Sequence, residues 1–149
     1  MVRTRSPLSL RIADTYNRFV AAIELVSPAN KDLDANRQSF AIKCASYLCQ
    51  GISVIVIDIV TSRRANLHNE MMRLMGHGDA FALPPGEALY AVAYRPIVRV
   101  GNELIEAWPS TLAVGERLPV LPLALTAEVS LPLDLEATYT VACQRRRLG

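Results

Sequence analysis

The spacing of apolar and polar side chains near the start of the chain predicts a β-hairpin. Residues 8–14 alternate between apolar and polar positions, which is the pattern of a half-buried strand. Residues 15–18 favour a turn, and residues 19–26 are apolar on both faces except at Glu24. Two strand patterns this close together in sequence indicate a hairpin.

The next segment predicts a helix and a third strand. A helix is expected at 35–50, because Phe40, Cys44, Tyr47 and Leu48 recur at helical spacing and Gly51 follows them. The continuous β-branched run at 52–60 is typical of a parallel strand that is covered on both faces. Strand, helix and strand over residues 19–60 therefore predict a right-handed βαβ unit.

The remainder of the chain predicts shorter elements. In order, they are a helix at 67–75, a loop at 76–87, strands at 89–94 and 97–100 split by Arg95-Pro96, a turn at Gly101-Asn102, a strand at 103–108, an extended edge segment with several prolines at 117–132, and a helix at 133–147. The whole pattern predicts an α/β fold with a mixed sheet, in which the hairpin and βαβ unit are followed by an antiparallel hairpin and a C-terminal helix. We expect one domain over 1–149, with its core at 8–60 and a second part at 61–149.

Composition and charge limit the classes of function. The chain has 149 residues, of which 51% are hydrophobic and 20% charged, and this balance favours a folded globule. The net charge of +2 is too small to indicate nucleic-acid binding by itself. The arginines at the two ends, Arg3, Arg5 and Arg145-Arg146-Arg147, favour solvated tails, with phosphate contact as the alternative.

Cysteine usage and hydropathy favour a reducing compartment. The chain has three cysteines, an odd number, and Cys44 and Cys49 lie on different faces of the predicted helix. Free buried thiols are therefore expected rather than a disulfide framework. The first residues lack the apolar stretch of a signal peptide, and the apolar run at 54–60 is far shorter than the ~20 residues that span a bilayer. We expect a cytoplasmic protein with no membrane partner.

Two carboxylates mark one edge of the predicted sheet. Glu24 and Asp58 are the only acids in their strands, and both lie near the C-terminal strand ends, where open α/β sheets bind ligands. Two such carboxylates are suitable ligands for Mg²⁺. Lys31, expected in the loop above this edge, and Lys43, at the border of the helix stripe, would stabilise phosphate charge there.

Each of these residues also has a structural interpretation. Glu24 would pair with a lysine or arginine, and Lys43 would extend into solvent. Ser27 and Asn30 would cap a helix. A second set of polar residues, His68, Glu70, His77 and Asp79, suggests a metal site, but surface or loop positions are the favoured interpretation.

The segment 24–31, E-L-V-S-P-A-N-K, resembles a bacterial family, the domain of unknown function numbered four thousand and fifty-eight. The similarity extends over residues 8–148 and includes four later segments: Leu67-His68-Asn69-Glu70, Leu83-Pro84-Pro85, Tyr90-Ala91-Val92-Ala93-Tyr94-Arg95-Pro96 and Pro132-Leu133-Asp134-Leu135-Glu136. That family has no established activity. Its domain has a longer N-terminal part, so the resemblance implies that the first helix and strand of a complete core are missing.

A more distant resemblance is to the Uma-type branch of the PD-(D/E)XK nuclease-like fold. The strand motif E-x-x-S-P is matched by Glu24, Ser27 and Pro28, and the helix motif K-x-x-x-Y before a glycine by Lys43, Tyr47 and Gly51. The resemblance implies a restriction-endonuclease-like core and a Mg²⁺-dependent phosphodiesterase acting on nucleic acid.

The hairpin departs from the nuclease pattern at one position. Nuclease cores pair the motif glutamate with an acid on the preceding strand. Here Asp14 would lie about 17 Å from Glu24, and the positions opposite Glu24 fall near Ser9, Leu10 and Arg11. Asp14 is therefore predicted to be a turn residue, and Asp58 becomes the candidate second acid.

Two functional hypotheses follow from these residues. In the first, Glu24 and Asp58 bind Mg²⁺ while Lys31 and Lys43 stabilise charge during cleavage of nucleic acid. In the second, the domain is a catalytically degenerate structural or partner-binding relative, expected as a homodimer. A solvent-open pair of acids close enough to share a cation would favour the enzyme, and a Glu24 enclosed by a basic side chain would favour the second hypothesis.

Overall fold

The computed structural model describes residues 8–147. Its strands are β1 (Ser9–Ala13), β2 (Phe19–Leu25), β3 (Ser53–Asp58), β4 (Tyr90–Arg99), β5 (Asn102–Thr111), β6 (Val120–Ala124) and β7 (Ser130–Asp134). Its helices are α1 (Pro28–Asp32), α2 (Asp34–Cys49), α3 (Leu67–Leu74) and α4 (Leu135–Arg147), with a 3-10 turn at Gly78–Phe81. Strands β1 to β5 form one five-stranded sheet in chain order, in which only β2 and β3 run parallel. The α/β class and the mixed sheet are confirmed.

Strands β1 and β2 form the predicted hairpin. Asp14 closes its turn, because the Asp14 carboxylate accepts hydrogen bonds from the backbone N–H groups of Tyr16 and Arg18 and from the Arg18 guanidinium. The prediction that Asp14 is a turn residue is thus confirmed. Pairing along the hairpin then sets Ser9 directly opposite Glu24.

The segment from β2 to β3 forms the predicted parallel βαβ unit, with one helix that was not predicted. In α2, Phe40, Cys44 and Leu48 are buried against the sheet, and Gly51 ends the helix with a φ of 77°, a value that favours glycine. The additional helix is α1, which replaces the loop expected before α2. It begins at Pro28, whose fixed φ suits the first position of a helix.

Strand β4 is continuous, so the predicted break at Arg95-Pro96 is wrong. The pairing of β3 with β4 ends at Tyr94, and from there β4 pairs with β5 alone as far as Arg99. Pro96 is tolerated because it lies where β4 has become an edge on one side. The tip of this ribbon is Val100-Gly101, one residue earlier than predicted, and both residues have positive φ values, as a tight hairpin turn requires.

The prediction that residues 117–132 form a single extended edge segment is wrong. They fold back as the hairpin β6–β7, a separate two-stranded sheet. Its prolines Pro122 and Pro132 pair with each other across the two strands. The last helix begins at Leu135 rather than at 133, because Leu133 and Asp134 belong to β7.

The five-stranded sheet has two differently covered sides. The helix side packs against α2 and α3 and carries Val54, Val56, Tyr90 and Val92. The opposite side, called the hairpin side because it faces the β6–β7 hairpin, carries Ala21, Ile55, Ala91 and Ala93. It packs against Leu121, Leu123 and Leu135. Within residues 8–147, no helix has the length and apolar character required to cross a membrane.

Candidate functional site

Glu24 lies on the helix side of β2 and has no solvent exposure. Both carboxylate oxygens have a partner: Oε1 accepts a hydrogen bond from the Ser9 hydroxyl at 2.9 Å, and Oε2 accepts one from Lys43 Nζ at 2.7 Å. Ser9 is available because the hairpin places it directly opposite Glu24. A buried carboxylate needs such partners to offset the loss of hydration.

Lys43 projects from the middle of α2 towards the sheet. Its ammonium group bonds to Glu24 and lies 5.0 Å from the centre of the Phe40 ring, close enough for a cation–π interaction. The Lys43 side chain remains 30% exposed, so the ion pair has solvent on one side only. Lys43 therefore covers Glu24.

Asp58 and Lys31 form a second ion pair that is completely buried. Lys31 Nζ lies 2.8 Å from Asp58 Oδ2, and neither side chain has any exposed surface. Asp58 Oδ1 also accepts a hydrogen bond from the Val60 backbone, and Lys31 donates to the carbonyl oxygen of Ala88. Burial raises the pKa of the Asp58 carboxyl, and the hydrogen bonds from Lys31 and Val60 oppose that rise.

Lys31 reaches Asp58 because α1 fixes its position. The N–H and hydroxyl groups of Ser27 both donate to the side-chain oxygen of Asn30 at 2.9 Å, which holds the first turn of α1 in place. The structure thus gives Ser27 and Asn30 the capping role. The next residue, Lys31, then points inward to the end of β3.

The two ion pairs are close to each other but separate. Glu24 is level with Val56 on the neighbouring parallel strand, and Asp58 follows two residues later on the same side of the sheet. Diagonal neighbours of this kind are about 7–8 Å apart. Each acid nevertheless faces its own lysine, so the arrangement does not fit one cation shared by Glu24 and Asp58. Among residues 8–147, His, Cys, Asp and Glu side chains form no group of three that could hold a metal ion.

An open groove lies at a distance from these pairs. It has a volume of about 680 Å³ and lies between the C-terminal ends of α2 and α3 and the projecting β4–β5 ribbon. Leu48, Met75, Val98 and Ile105 are among its lining residues, and the four candidate residues are not. The groove therefore does not give a ligand access to Glu24 or Asp58.

His68 is buried, so its interpretation as a surface or loop residue is wrong. Nε2 lies 2.8 Å from the carbonyl oxygen of Phe81, and Nδ1 lies 2.5 Å from the hydroxyl of Tyr94. A carbonyl can only accept, so Nε2 carries the proton and the Tyr94 hydroxyl donates to Nδ1. The His68 backbone N–H donates to the Tyr90 hydroxyl, and Tyr90 pairs with Asp58 across the β3–β4 ladder. The periodic pattern of α3 places His68 beside Leu67 and Met71, which are buried. That position in the sequence is the signal that could have predicted the burial of His68.

This burial predicts a pH dependence of stability. Burial lowers the pKa of His68 below its ordinary value of 6.5. Between the two values, the unfolded chain binds a proton that the folded chain does not, so the free energy of unfolding should fall as the pH drops below about 6.5. Urea denaturation at a series of pH values measures this slope. We expect His68→Gln to reduce it and His77→Gln, at an exposed residue, to leave it unchanged. An identical slope in wild type and His68→Gln would contradict the prediction.

The three cysteines and the arginines near the chain ends are the remaining residues that the sequence singles out. Cys44 is buried, and burial raises the pKa of its thiol to about 12, whereas Cys49 is exposed and Cys143 intermediate. All three are free, as predicted, but the expectation that they are buried is confirmed only for Cys44. Arg145 and Arg146 are exposed at the end of α4, and Arg3 and Arg5 lie outside the described residues.

Comparisons of the chain with protein-family models, curated proteins and solved structures found no match.

Proposed function

We propose that this chain is a non-catalytic protein-interaction domain built on a nuclease-like α/β scaffold. The observation that carries the proposal is the state of Glu24, whose carboxylate is fully buried and bonded to both Lys43 and Ser9. A metal ion at Glu24 would have to displace an ammonium group at 2.7 Å and would itself lose most of its water. Mg²⁺ dehydrates reluctantly and usually retains several waters.

The second ion pair supports the same proposal. The Lys31 ammonium is completely buried against Asp58 and the Ala88 carbonyl, so it has no surface that a phosphate group could approach. Together the two pairs connect α1 and α2 to the parallel strands. Their role is then to hold the layers of the βαβ unit together, and recognition is left to the surface.

A nuclease assay tests this proposal. The purified chain should leave single-stranded and double-stranded DNA and RNA intact in the presence of Mg²⁺ or Mn²⁺, and calorimetry should detect no Mn²⁺ binding. Glu24→Gln is the matched control, because it removes the charge while keeping the shape of the side chain. Cleavage by the wild type that Glu24→Gln abolishes would overturn the proposal, whereas equal residual cleavage in both proteins indicates a contaminating nuclease.

A Mg²⁺-dependent phosphodiesterase acting on nucleic acid is the second candidate function. It is favoured by the placement of Glu24 and Asp58 on the same side of adjacent parallel strands, with Lys43 partly exposed beside them. For catalysis Lys43 would swing outward and open Glu24 to a metal ion. Metal-dependent cleavage that is lost in Glu24→Gln, Asp58→Asn and Lys43→Met would establish this function.

A further inference from the structure

The last part of β4 has a free edge. The pairing of β3 with β4 ends at Tyr94, and beyond it β4 has β5 on one side and no strand on the other. Alternate residues of an antiparallel strand direct their backbone groups to opposite sides. Arg99 and its β5 partner close the two-residue turn of the ribbon, so Val98 and Pro96 direct their backbone groups to the free side. Among residues 8–147, no group bonds to the Pro96 carbonyl or to the Val98 backbone on that side.

The open groove of about 680 Å³ lies beside this free edge. Leu48 and Met75 line the groove from the helix side of the sheet, and Ala127, in the turn between β6 and β7, lines it from the hairpin side. Gly51, two residues before the start of β3, lines it as well. A groove with walls on both sides of the sheet continues the plane of the sheet. It therefore has the position of an additional strand beside β4, in line with β3.

We propose that this groove binds an extended segment of a partner protein, which pairs with Pro96 and Val98 as an additional strand antiparallel to β4. The inference rests on the proposed protein-interaction function and identifies the kind of partner. An unpaired strand edge is a template for another strand, and many domains recognise peptides by strand addition. Water also satisfies such backbone groups, but it gains nothing from the apolar walls, so an edge combined with an apolar groove favours a peptide.

The backbone and the groove together define the segment. A peptide residue opposite Val98 exchanges two hydrogen bonds with it, and the residue opposite Pro96 donates to the Pro96 carbonyl, because proline has no N–H of its own. The side chains of both peptide residues lie on the same side of the sheet as Val98. That is the helix side, where Met75 and Ile105 line the groove. The segment should therefore carry apolar side chains at two alternate positions.

Glu103 gives the groove a negative charge. It is the only Asp, Glu, Lys or Arg among the residues that line the groove, and it lies opposite Val98 on β5. The ion pairs of the ribbon join Arg95 and Arg99 to Glu106 and leave Glu103 out. A lysine or arginine in the segment would complement this charge. A second copy of the chain fits less well, because its ribbon would supply another acid on the groove face and arginines that are already paired.

Fluorescence anisotropy with a synthetic peptide tests strand addition. The probe is fluorescein-Lys-Thr-Val-Thr-Leu-Thr-Lys-amide, in which valine and leucine take the two groove positions. We expect it to bind the wild type with a Kd below about 1 mM, the weak end of measurable affinities. N-methylation of the valine and leucine nitrogens should weaken binding at least about tenfold, because these N–H groups face β4. N-methylation of the threonine between them is the matched control, since its N–H points away from β4, and binding should be retained.

Substitutions on the edge test where the peptide binds. Val98→Pro removes the free N–H without removing a bond to β5, so it should weaken binding at least about fivefold. Val98→Thr keeps the N–H and the β-branched shape and should bind like the wild type. Val98 is 70% exposed, so the fold should tolerate both changes, and circular dichroism checks this.

A charge substitution tests the role of Glu103. Glu103→Gln should weaken binding of the lysine probe about two- to fivefold, the range for an exposed ion pair. Glu116→Gln, at an exposed acid outside the groove, should have no effect. A probe with glutamate in place of both lysines should bind the wild type more weakly than the lysine probe. If the two probes bound equally well, the acid would play no part in recognition and the proposed partner chemistry would be wrong.

Three results would overturn strand addition. They are no binding of the lysine probe up to about 1 mM, equal binding of the probes methylated at the facing and the outward nitrogens, and wild-type affinity in Val98→Pro. Sedimentation supplies a further check: a dimer that Val98→Pro abolishes would make a second copy the occupant and refute a peptide partner. Failure of peptide binding would leave the non-catalytic function standing, whereas Glu24-dependent cleavage of nucleic acid would remove that function whatever the peptide result.

Discussion

Replacing Lys31 with methionine should lower the free energy of unfolding by about 3–5 kcal/mol. The substitution leaves the Asp58 carboxylate fully buried without its ammonium partner, and the backbone N–H of Val60, which still donates to it, carries no charge. An uncompensated buried charge is far more costly than the ion pair is stabilising. The double variant Lys31→Met with Asp58→Leu removes both charges and should recover most of the loss.

Urea denaturation measures both effects, and an exposed ion pair supplies the control. Arg63 and Asp32 also form a salt bridge, but both side chains are well exposed. Arg63→Met should therefore cost at most about 1 kcal/mol. If Lys31→Met cost no more than Arg63→Met, the buried pair would not stabilise the end of β3 and the structural role proposed for it would be wrong.

The Glu24–Lys43 pair should respond asymmetrically to substitution. Lys43→Met leaves the fully buried Glu24 carboxylate with Ser9 as its remaining partner and should cost about 2–4 kcal/mol. Glu24→Leu leaves a lysine whose side chain is already 30% exposed. That lysine can move its ammonium group into solvent, so Glu24→Leu should cost about 1 kcal/mol or less.

This asymmetry tests the structural role proposed for Lys43. The midpoint of urea denaturation, compared for Lys43→Met and Glu24→Leu at the same pH, provides the measurement. Equal losses for the two variants would contradict the account of Glu24 as a buried charge that Lys43 compensates.

The hairpin could be predicted from the sequence because its constraints are local. Alternation in β1, a short turn and the apolar run of β2 limit the pairing to a few registers, and Ser9 was among the positions predicted opposite Glu24. The prediction that Asp14 lies in the turn followed from the same residue spacing along the hairpin. The helix stripe of α2 placed Lys43 at its border, and from that position Lys43 contacts Glu24 instead of extending into solvent.

The structural features that could not be predicted depend on contacts distant in sequence. Residues 117–132 carry several prolines, and only their packing on the hairpin side shows that they turn back as β6 and β7. Lys31 was expected in an open loop, because nothing local indicates that α1 would turn it towards Asp58, 27 positions later. His68 bonds to Tyr90 on β4 and to the carbonyl oxygen of Phe81. A polar residue on a short helix gives no local sign of such distant partners.

The two lysine–carboxylate pairs also constrain how the chain can fold. Each joins residues far apart in sequence, 19 positions for Glu24 with Lys43 and 27 for Lys31 with Asp58. The first pair needs only α2 to pack on β2, whereas the second cannot form until β3 is in place. If β3 slipped by one residue against β2, its side chains would exchange faces and Asp58 would turn away from Lys31. Because β3 is apolar on both faces, its apolar side chains alone oppose such a slip only weakly, whereas the slip would leave Lys31 and Asp58 as unmatched charges. The Lys31–Asp58 pair therefore discriminates against strand misalignment, and an apolar variant of equal stability would lack that safeguard.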